Sequence, residues 1–102
     1  MPIYVDNSKI PYKGKYWCHL MADNLEELHS FAAEIGVKKC WFHHSASYPH
    51  YDITIEKRKL ALVLGALLAD RKTIIDCGKK LKIELDKYQN KNYNRSQIEL
   101  FQ

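Results

Sequence analysis

The chain has 102 residues, of which 46% are apolar and 27% charged, and a net charge of +4, as expected for an ordinary globular protein of one domain. Its longest apolar run, Leu60 to Ala69, is about half as long as a bilayer-spanning helix, and no basic region followed by an apolar stretch opens the chain. These features exclude fibrous, disordered and membrane-spanning proteins. They predict a cytoplasmic protein, and a homo-oligomer, because self-association adds to the limited stability of a small core.

The first third of the chain predicts two strands and a helix. Ile3 to Val5 is a short β-branched and aromatic run, and Tyr16 to Ala22 is a second apolar segment, so both are expected to be strands. Between them, Lys9 to Lys15 contains a proline and a glycine and predicts a loop. Asp23 can cap a helix of apolar residues at helical spacing, and Gly36 is a suitable C-terminal residue.

A third strand and a second helix are expected in the middle of the chain. Val37 to Phe42 supplies apolar residues for a strand, and the polar segment from His43 to Pro49 predicts a loop. The Thr54 hydroxyl can cap a helix that ends at Gly65.

The last part of the chain predicts a short closing strand over residues 66–69 and a long amphipathic helix from Asp70 or Thr73. We expect one domain over residues 1–88 and a polar, loosely attached tail over 89–102, in which Ile98, Leu100 and Phe101 could dock on a neighbour. The expected fold is α/β: a short, mostly parallel sheet of three to four strands packed with about three helices, of which the C-terminal one is long and basic.

The three cysteines, Cys18, Cys40 and Cys77, are far apart and form no CxxC pattern. An odd number at such spacing argues against a disulfide scaffold and a structural zinc site and fits a reducing compartment. Each is expected to be a small buried apolar residue.

Histidine and positive charge are concentrated in different halves of the chain. All five histidines lie between positions 19 and 50, within residues 1–52, where five lysines and six acids give a net charge of −1. Residues 53–102 carry eleven Lys or Arg and six acids, a net charge of +5. Imidazoles and cations could therefore meet across one cleft.

Several short blocks between about residues 3 and 66 match the pattern of one known family. In chain order they are Tyr4-Val5-Asp6, Trp17 with His19, Ala22-Asp23, Glu27-Leu28-His29, Phe31-Ala32, Ile35-Gly36, Trp41-Phe42, His50-Tyr51-Asp52, Lys57-Arg58 and Gly65-Ala66. The sequence thus resembles the bacterial and phage proteins catalogued as domain of unknown function four thousand and thirty-one. The resemblance implies a compact α/β domain in a bacterial cell or a phage-infected host, and it implies no particular activity.

The junction between the polar loop and the second helix gives the strongest indication of a binding site. Two cations in the opening turns of a helix, next to free backbone amides, suit a phosphate or carboxylate group. We therefore expect a small module that binds an anionic, nucleotide-like ligand, with the sequestering of a signalling nucleotide as one version. The expected ligand-binding residues are Trp17, His19, His29, His50, Tyr51, Asp52, Lys57 and Arg58. In the alternative interpretation Asp52 caps the helix and the cations are solvated.

A second hypothesis is a metal-dependent phosphodiesterase or nuclease. Histidines and aspartates supply donors for a divalent ion such as Mn²⁺ or Zn²⁺, although no HxH, HExxH or HxxxH spacing occurs. Asp6, Asp23 or Asp52 would join two histidines on the ion, and the candidate set is His19, Asp23, His50 and Asp52. More commonly such histidines are partly buried residues bonded to the backbone.

A third hypothesis is a nucleic-acid or protein adaptor that uses the lysine-rich last helix, whose basic residues are Arg71, Lys72, Lys79, Lys80, Lys82 and Lys87. Acidic residues between them favour an ordinary solvated face. No GxSxG motif and no P-loop is present, so covalent catalysis and ATP hydrolysis are not expected. On sequence alone, a binding module without a cofactor is favoured over an enzyme.

Overall fold

A computed structural model describes the backbone of residues 2–100 and the side chains of residues 2–87. Over these residues, six strands and three helices follow one another, with a 3-10 turn at Lys39–Trp41. The strands are β1 (Ile3–Val5), β2 (Ile10–Tyr12), β3 (Lys15–Ala22), β4 (Phe42–His43), β5 (His50–Thr54) and β6 (Leu67–Leu68), and the helices are α1 (Leu25–Glu34), α2 (Ile55–Val63) and α3 (Arg71–Leu100). The predicted α/β class is confirmed. Among the described residues, no helix combines the length and the apolar character needed to span a membrane.

The sheet is larger than predicted and mixed. Its strand order is β4-β5-β3-β1-β6, and β2 also pairs with β3. Of these pairs only β1 with β6 is parallel, so the prediction of a mostly parallel, three- to four-stranded sheet is wrong. Short connections join β2 to β3 and β4 to β5, and connections of that length can only join antiparallel neighbours.

Two predicted segments differ from the structure. The segment from Lys9 to Lys15 is a hairpin, because Lys13 and Gly14 both take positive φ angles, 51° and 75°, as a tight hairpin turn requires. Pro11 is tolerated in β2 because, within the part of the chain that the structure describes, this strand pairs on one side only. The predicted strand from Val37 to Phe42 instead contains the 3-10 turn at Lys39–Trp41, and Cys40 in that turn is exposed rather than buried.

The three predicted helices are present, and two of their predicted caps are confirmed. The Thr54 hydroxyl accepts the Lys57 N–H to begin α2, and Gly65 follows that helix with a φ of 106°. Helix α1 has Asn24, not Asp23, as its N-cap. The Asp70 carboxylate accepts the Thr73 N–H at the start of α3.

The core lies between one face of the sheet and helices α1 and α2. Alternation along β3 and β5 directs one set of side chains into this core, where Cys18, Leu20, Tyr51 and Ile53 are almost fully buried. The residues between them belong to the opposite face. The first half of α3 packs beside that face, with Cys77 and Leu81 buried.

Helix α3 is tied to α1 by a side-chain cap. Both Glu84 carboxylate oxygens lie 3.0 Å from the Leu25 N–H, an amide without a partner inside its own helix. The α3 backbone is helical through Leu100, beyond the expected boundary at residue 88. The predicted loose attachment of the tail and the docking of its apolar residues concern side chains beyond those that the structure describes.

Candidate functional site

Strand register brings four of the polar side chains onto one face of the sheet. His19 of β3 lies opposite Asp52 of β5, and His43 of β4 lies opposite His50 of β5. Directly paired residues share a face, as do residues two apart in one strand. His19, His43, His50 and Asp52 therefore form one group, here called the His–Asp cluster, on the face opposite the α1 and α2 layer.

Short contacts connect the members of the His–Asp cluster. The Asp52 carboxylate lies 2.8 Å from His43 Nε2 through one oxygen and 3.2 Å from His50 Nε2 through the other. The rings of His19 and His50 meet edge to face, with centroids 4.6 Å apart. Each of His19, His50 and Asp52 offers one ligand atom, and these three atoms lie within 4.8 Å of one another. This spacing allows three donors to converge on one small ligand.

Asp6 lies in the gap between strands β1 and β2 and orients His19 from there. β1 and β2 both pair with the same side of β3, and the break between them, which begins at Asp6, lies opposite His19. The Asp6 carboxylate accepts the His19 backbone N–H at 3.0 Å and the Nδ1–H at 2.5 Å. Ser8 donates its hydroxyl to the same carboxylate. With Nδ1 as the donor, Nε2 of His19 is directed away from Asp6.

The Asp6–His19 pair is electrostatically strong. Burial raises the pKa of Asp6, but the hydrogen bonds and charge of His19, with the Ser8 hydroxyl, outweigh it and lower that pKa to about 2. The same hydrogen bond raises the pKa of His19 against the opposing effect of burial. Asp6 is therefore a carboxylate throughout the physiological range.

Tyr48 orients His50 in a similar way. His50 Nδ1 donates to the Tyr48 carbonyl at 2.7 Å, so Nε2 is the ring nitrogen that faces Asp52. Burial lowers the pKa of His50, and the neighbouring rings of His19 and His43 lower it further against the Tyr48 carbonyl and Asp52. The His50 ring is therefore neutral at pH 7, with an unprotonated Nε2.

Two of the predicted binding residues lie on the other face of the sheet. Tyr51 alternates with its neighbours in β5 and is buried in the core, where its hydroxyl lies 2.7 Å from His29 Nδ1. Burial lowers the pKa of His29. The structure thus places His29 and Tyr51 together but apart from the His–Asp cluster.

The predicted cations contact protein groups near the cluster. Arg58 donates from Nε to the Asp6 carbonyl at 2.9 Å and from Nη2 to Asn7 Oδ1 at 2.8 Å. It thus fixes the strand break that presents Asp6 to His19. The Lys57 ammonium lies against Gly36 at the end of α1.

Asp23, a member of the predicted metal set, follows β3 and contacts α3. Its carboxylate lies 3.5 Å from Lys80 Nζ and 3.5 Å from Cys77 Sγ. The structure therefore brings His19, His50 and Asp52 of that set together without Asp23. Trp17 shares their sheet face, two residues before His19.

A groove runs over the cluster between the sheet and the first turns of α3. One part has a volume of about 260 Å³ and is lined by His19, His50, Tyr48 and Ile74, among others. The adjoining part, of about 650 Å³, reaches Asn7, Ser8 and Arg71. An elongated ligand can thus contact the histidines and the Arg71 cation together.

Three contributors to the site carry no specific signal in the sequence. Asp6 is one of three acids that could join the histidines on an ion and His43 is one of five histidines, while Tyr48 acts through its backbone carbonyl, which no side-chain pattern reveals. The alternation of His50-Tyr51-Asp52-Ile53-Thr54 is a usable signal, because in a strand it directs positions 50 and 52 to the same face.

The fold and the site define a small mixed-sheet α/β protein with a His–Asp cluster on a grooved sheet face. The family model described as "Protein of unknown function (DUF4031)" matches residues 3–81. The chain therefore belongs to that family, as the sequence blocks indicated, and the matched region contains the whole cluster and the first turns of α3. No curated protein and no solved structure matches the chain.

Replacing Asp6 by Asn is expected to lower the free energy of unfolding by about 1–2 kcal/mol at pH 7. The pKa of Asp6 in the folded chain, about 2, is below its ordinary value of 3.8. The stabilisation is therefore complete above about pH 4 and is lost as the pH falls from about 4 to about 2. Urea unfolding of both proteins at pH 7 measures the difference. Asp76→Asn, at an exposed acid of α3, is the matched control, and an equal loss in both variants would contradict the assigned role.

Proposed function

We propose that His19, His50 and Asp52 bind a divalent metal ion such as Mn²⁺ or Zn²⁺ and that the site hydrolyses a phosphate ester. The observation that carries the proposal is the contact between His50 and Asp52. His50 Nδ1 donates a hydrogen bond to the Tyr48 carbonyl, and burial, which lowers the pKa of the ring, favours a neutral imidazole whose Nε2 lone pair faces a carboxylate oxygen at 3.2 Å. Two acceptors at this distance repel each other unless a cation lies between them.

The distance between His50 and Asp52 suits two ligands of one ion, and a ligand atom of His19 lies within 4.8 Å of theirs. Metal–nitrogen and metal–oxygen bonds of about 2.0–2.2 Å place neighbouring ligand atoms roughly 3.0–3.5 Å apart, which includes the 3.2 Å between His50 Nε2 and Asp52 Oδ1. Both histidines have their other ring nitrogen on an oxygen acceptor, Asp6 for His19 and Tyr48 for His50. Such outer contacts fix the orientation of metal-binding imidazoles. Two histidines and one carboxylate leave coordination positions open for water and substrate.

The surroundings support hydrolysis of an anionic ester. A divalent ion makes bound water more acidic and stabilises charge on a phosphoryl oxygen. In the hydrolysis the attacking water loses a proton as its oxygen bonds to phosphorus, the ester P–O bond breaks, and the leaving oxygen takes up a proton in its place. His43 is half exposed and rests on Asp52 at 2.8 Å, so it is the group available to move that proton. Arg71 in the adjoining groove can contact the anionic substrate.

Fewer contacts in the structure support the other two functions expected from the sequence, an anion-binding module and an adaptor. Two nitrogens of the Arg58 guanidinium already bond to Asp6 and Asn7, which favours a supporting role over anion binding. On α3, Lys80 pairs with Asp23 and Lys82 with Asp86, which favours an ordinary solvated helix face over an adaptor surface.

Activity and metal content test the proposal together. Protein purified without chelator is analysed for metal and assayed on bis(p-nitrophenyl) phosphate with Mn²⁺, with Zn²⁺ and with EDTA. We expect about one ion per chain and turnover that EDTA abolishes. His43→Ala should keep the ion and lose on the order of 10²–10⁴-fold in turnover, whereas His44→Ala, at an exposed position beside it, should change neither. Absence of both metal and turnover rejects the proposal.

A further inference from the structure

An aromatic cleft opens beside the His–Asp cluster on the same face of the sheet. It has a volume of about 340 Å³ and is lined by Ile10, Pro11, Tyr12, Trp17 and Trp41, with His43 and Asp52 at one end. Ile10 of β2 lies opposite Trp17 of β3, so the two side chains share the face that carries His19. The cleft therefore meets the proposed metal ligands at Asp52.

The two tryptophans form a partly exposed aromatic platform with a fixed orientation. Their ring centroids are 5.2 Å apart at an interplanar angle of 33°, and the Trp17 indole N–H donates to the Tyr12 carbonyl at 2.9 Å. Trp41 is 39% and Tyr12 55% exposed. The indole of Trp17 is thus held by its edge, while aromatic faces stay accessible to a ligand.

We infer that this cleft is a subsite for a nucleobase and that the substrate of the adjacent site is a nucleotide or a nucleotide-containing ester. The inference rests on the proposed function. With the phosphate of the substrate at the His–Asp cluster, the neighbouring cleft is where the base of the same molecule would lie. A base has flat faces for stacking on indole rings and an edge of hydrogen-bonding groups, and His43 and Asp52 supply polar partners at the end of the cleft.

Distances along the strand agree with this assignment. Trp17 and His19 are two residues apart in β3, which places them roughly 6.5 Å from each other along the sheet. In a nucleotide one sugar separates the base from its phosphate, a spacing of the same order. The cleft volume of about 340 Å³ is at the small end of ligand pockets, which range over roughly 300–1,000 Å³.

The indole N–H signals provide a direct test, because the chain has only two tryptophans and both line the cleft. Two-dimensional NMR of the full chain with EDTA present follows these signals during titration with adenosine, AMP and ribose 5-phosphate. Saturable shifts with adenosine and AMP, but not with ribose 5-phosphate, support the subsite. Trp41→Ala should weaken AMP binding by at least about tenfold, and Tyr12→Ala is the second variant if Trp41→Ala does not fold.

The outcomes separate this inference from the proposed metal site. Adenosine shifts in EDTA support the base subsite even if no metal binds, since adenosine carries no phosphate. Metal-dependent AMP binding that leaves both indole signals unmoved supports the metal site and overturns the base subsite. Indole shifts with a proline-rich peptide and none with adenosine also overturn it, because the cleft would then be a peptide site.

Discussion

Asp52→Asn is expected to weaken Mn²⁺ binding by on the order of 100-fold or more and, in EDTA, to leave the protein at least as stable as the wild type. Removal of an outer contact already costs about 10–100-fold in metal affinity, and Asp52 is the charged member of the proposed ligand set. His50 Nε2 is an acceptor, and the Asp52 carboxylate places a second acceptor 3.2 Å from it. An Asn side chain at this position can instead donate its amide N–H to Nε2. Replacing the carboxylate thus removes a repulsion when no metal is present.

Calorimetric titration with Mn²⁺ and thermal unfolding in EDTA measure the two effects on the same protein. His50→Ala should also lose the ion. His44→Ala is the control, because this histidine is exposed in the loop next to His43 and outside the proposed ligand set. If Asp52→Asn binds Mn²⁺ as tightly as the wild type, or melts well below it in EDTA, Asp52 is a structural anchor for its histidine neighbours.

Gly78→Ala is expected to destabilise the protein by about 1–3 kcal/mol, although the same change in an exposed helix stabilises by about 1 kcal/mol. Gly78 is buried in α3, and a Cβ built there would lie 2.4 Å from Tyr48 Cβ. That contact cannot be relieved by rotating the tyrosine ring, so helix and loop must separate. Because the Tyr48 carbonyl accepts the His50 Nδ1–H, the displacement also reaches the His–Asp cluster.

Urea unfolding and Mn²⁺ titration of Gly78→Ala measure both consequences. Lys79→Ala, one position further along α3 and exposed, controls for helix propensity and should be neutral or slightly stabilising. A Gly78→Ala protein as stable as the wild type would show that the Tyr48 loop does not pack closely on α3.

Local signals in the sequence were sufficient for most of the helices and strands. Apolar runs identified Ile3 to Val5 and Tyr16 to Ala22, and the Thr54 and Asp70 caps are seen in the structure. The hairpin between β2 and β3 was not predicted because its turn includes Lys13, a non-glycine residue with positive φ, for which the sequence gives little warning.

The site depends on pairings between distant segments, and sequence patterns do not specify these. His19 meets Asp52 only through the register of β3 with β5, and Asp6 reaches His19 only because a strand breaks opposite it. Tyr51 was grouped with its neighbours His50 and Asp52, but strand alternation directs it into the core. Arg58 is predicted to contact an anion, and its contacts with Asp6 and Asn7, more than fifty residues away, follow from no pattern near it in the sequence.

The most direct test of the metal site is anomalous diffraction from crystals of the chain grown with Mn²⁺. We expect one strong peak about 2.0–2.3 Å from His19 Nε2, His50 Nε2 and an Asp52 oxygen, with both histidines still bonded to Asp6 and Tyr48. Crystals with no peak among these three residues, or with the peak at an unrelated surface carboxylate, would contradict it.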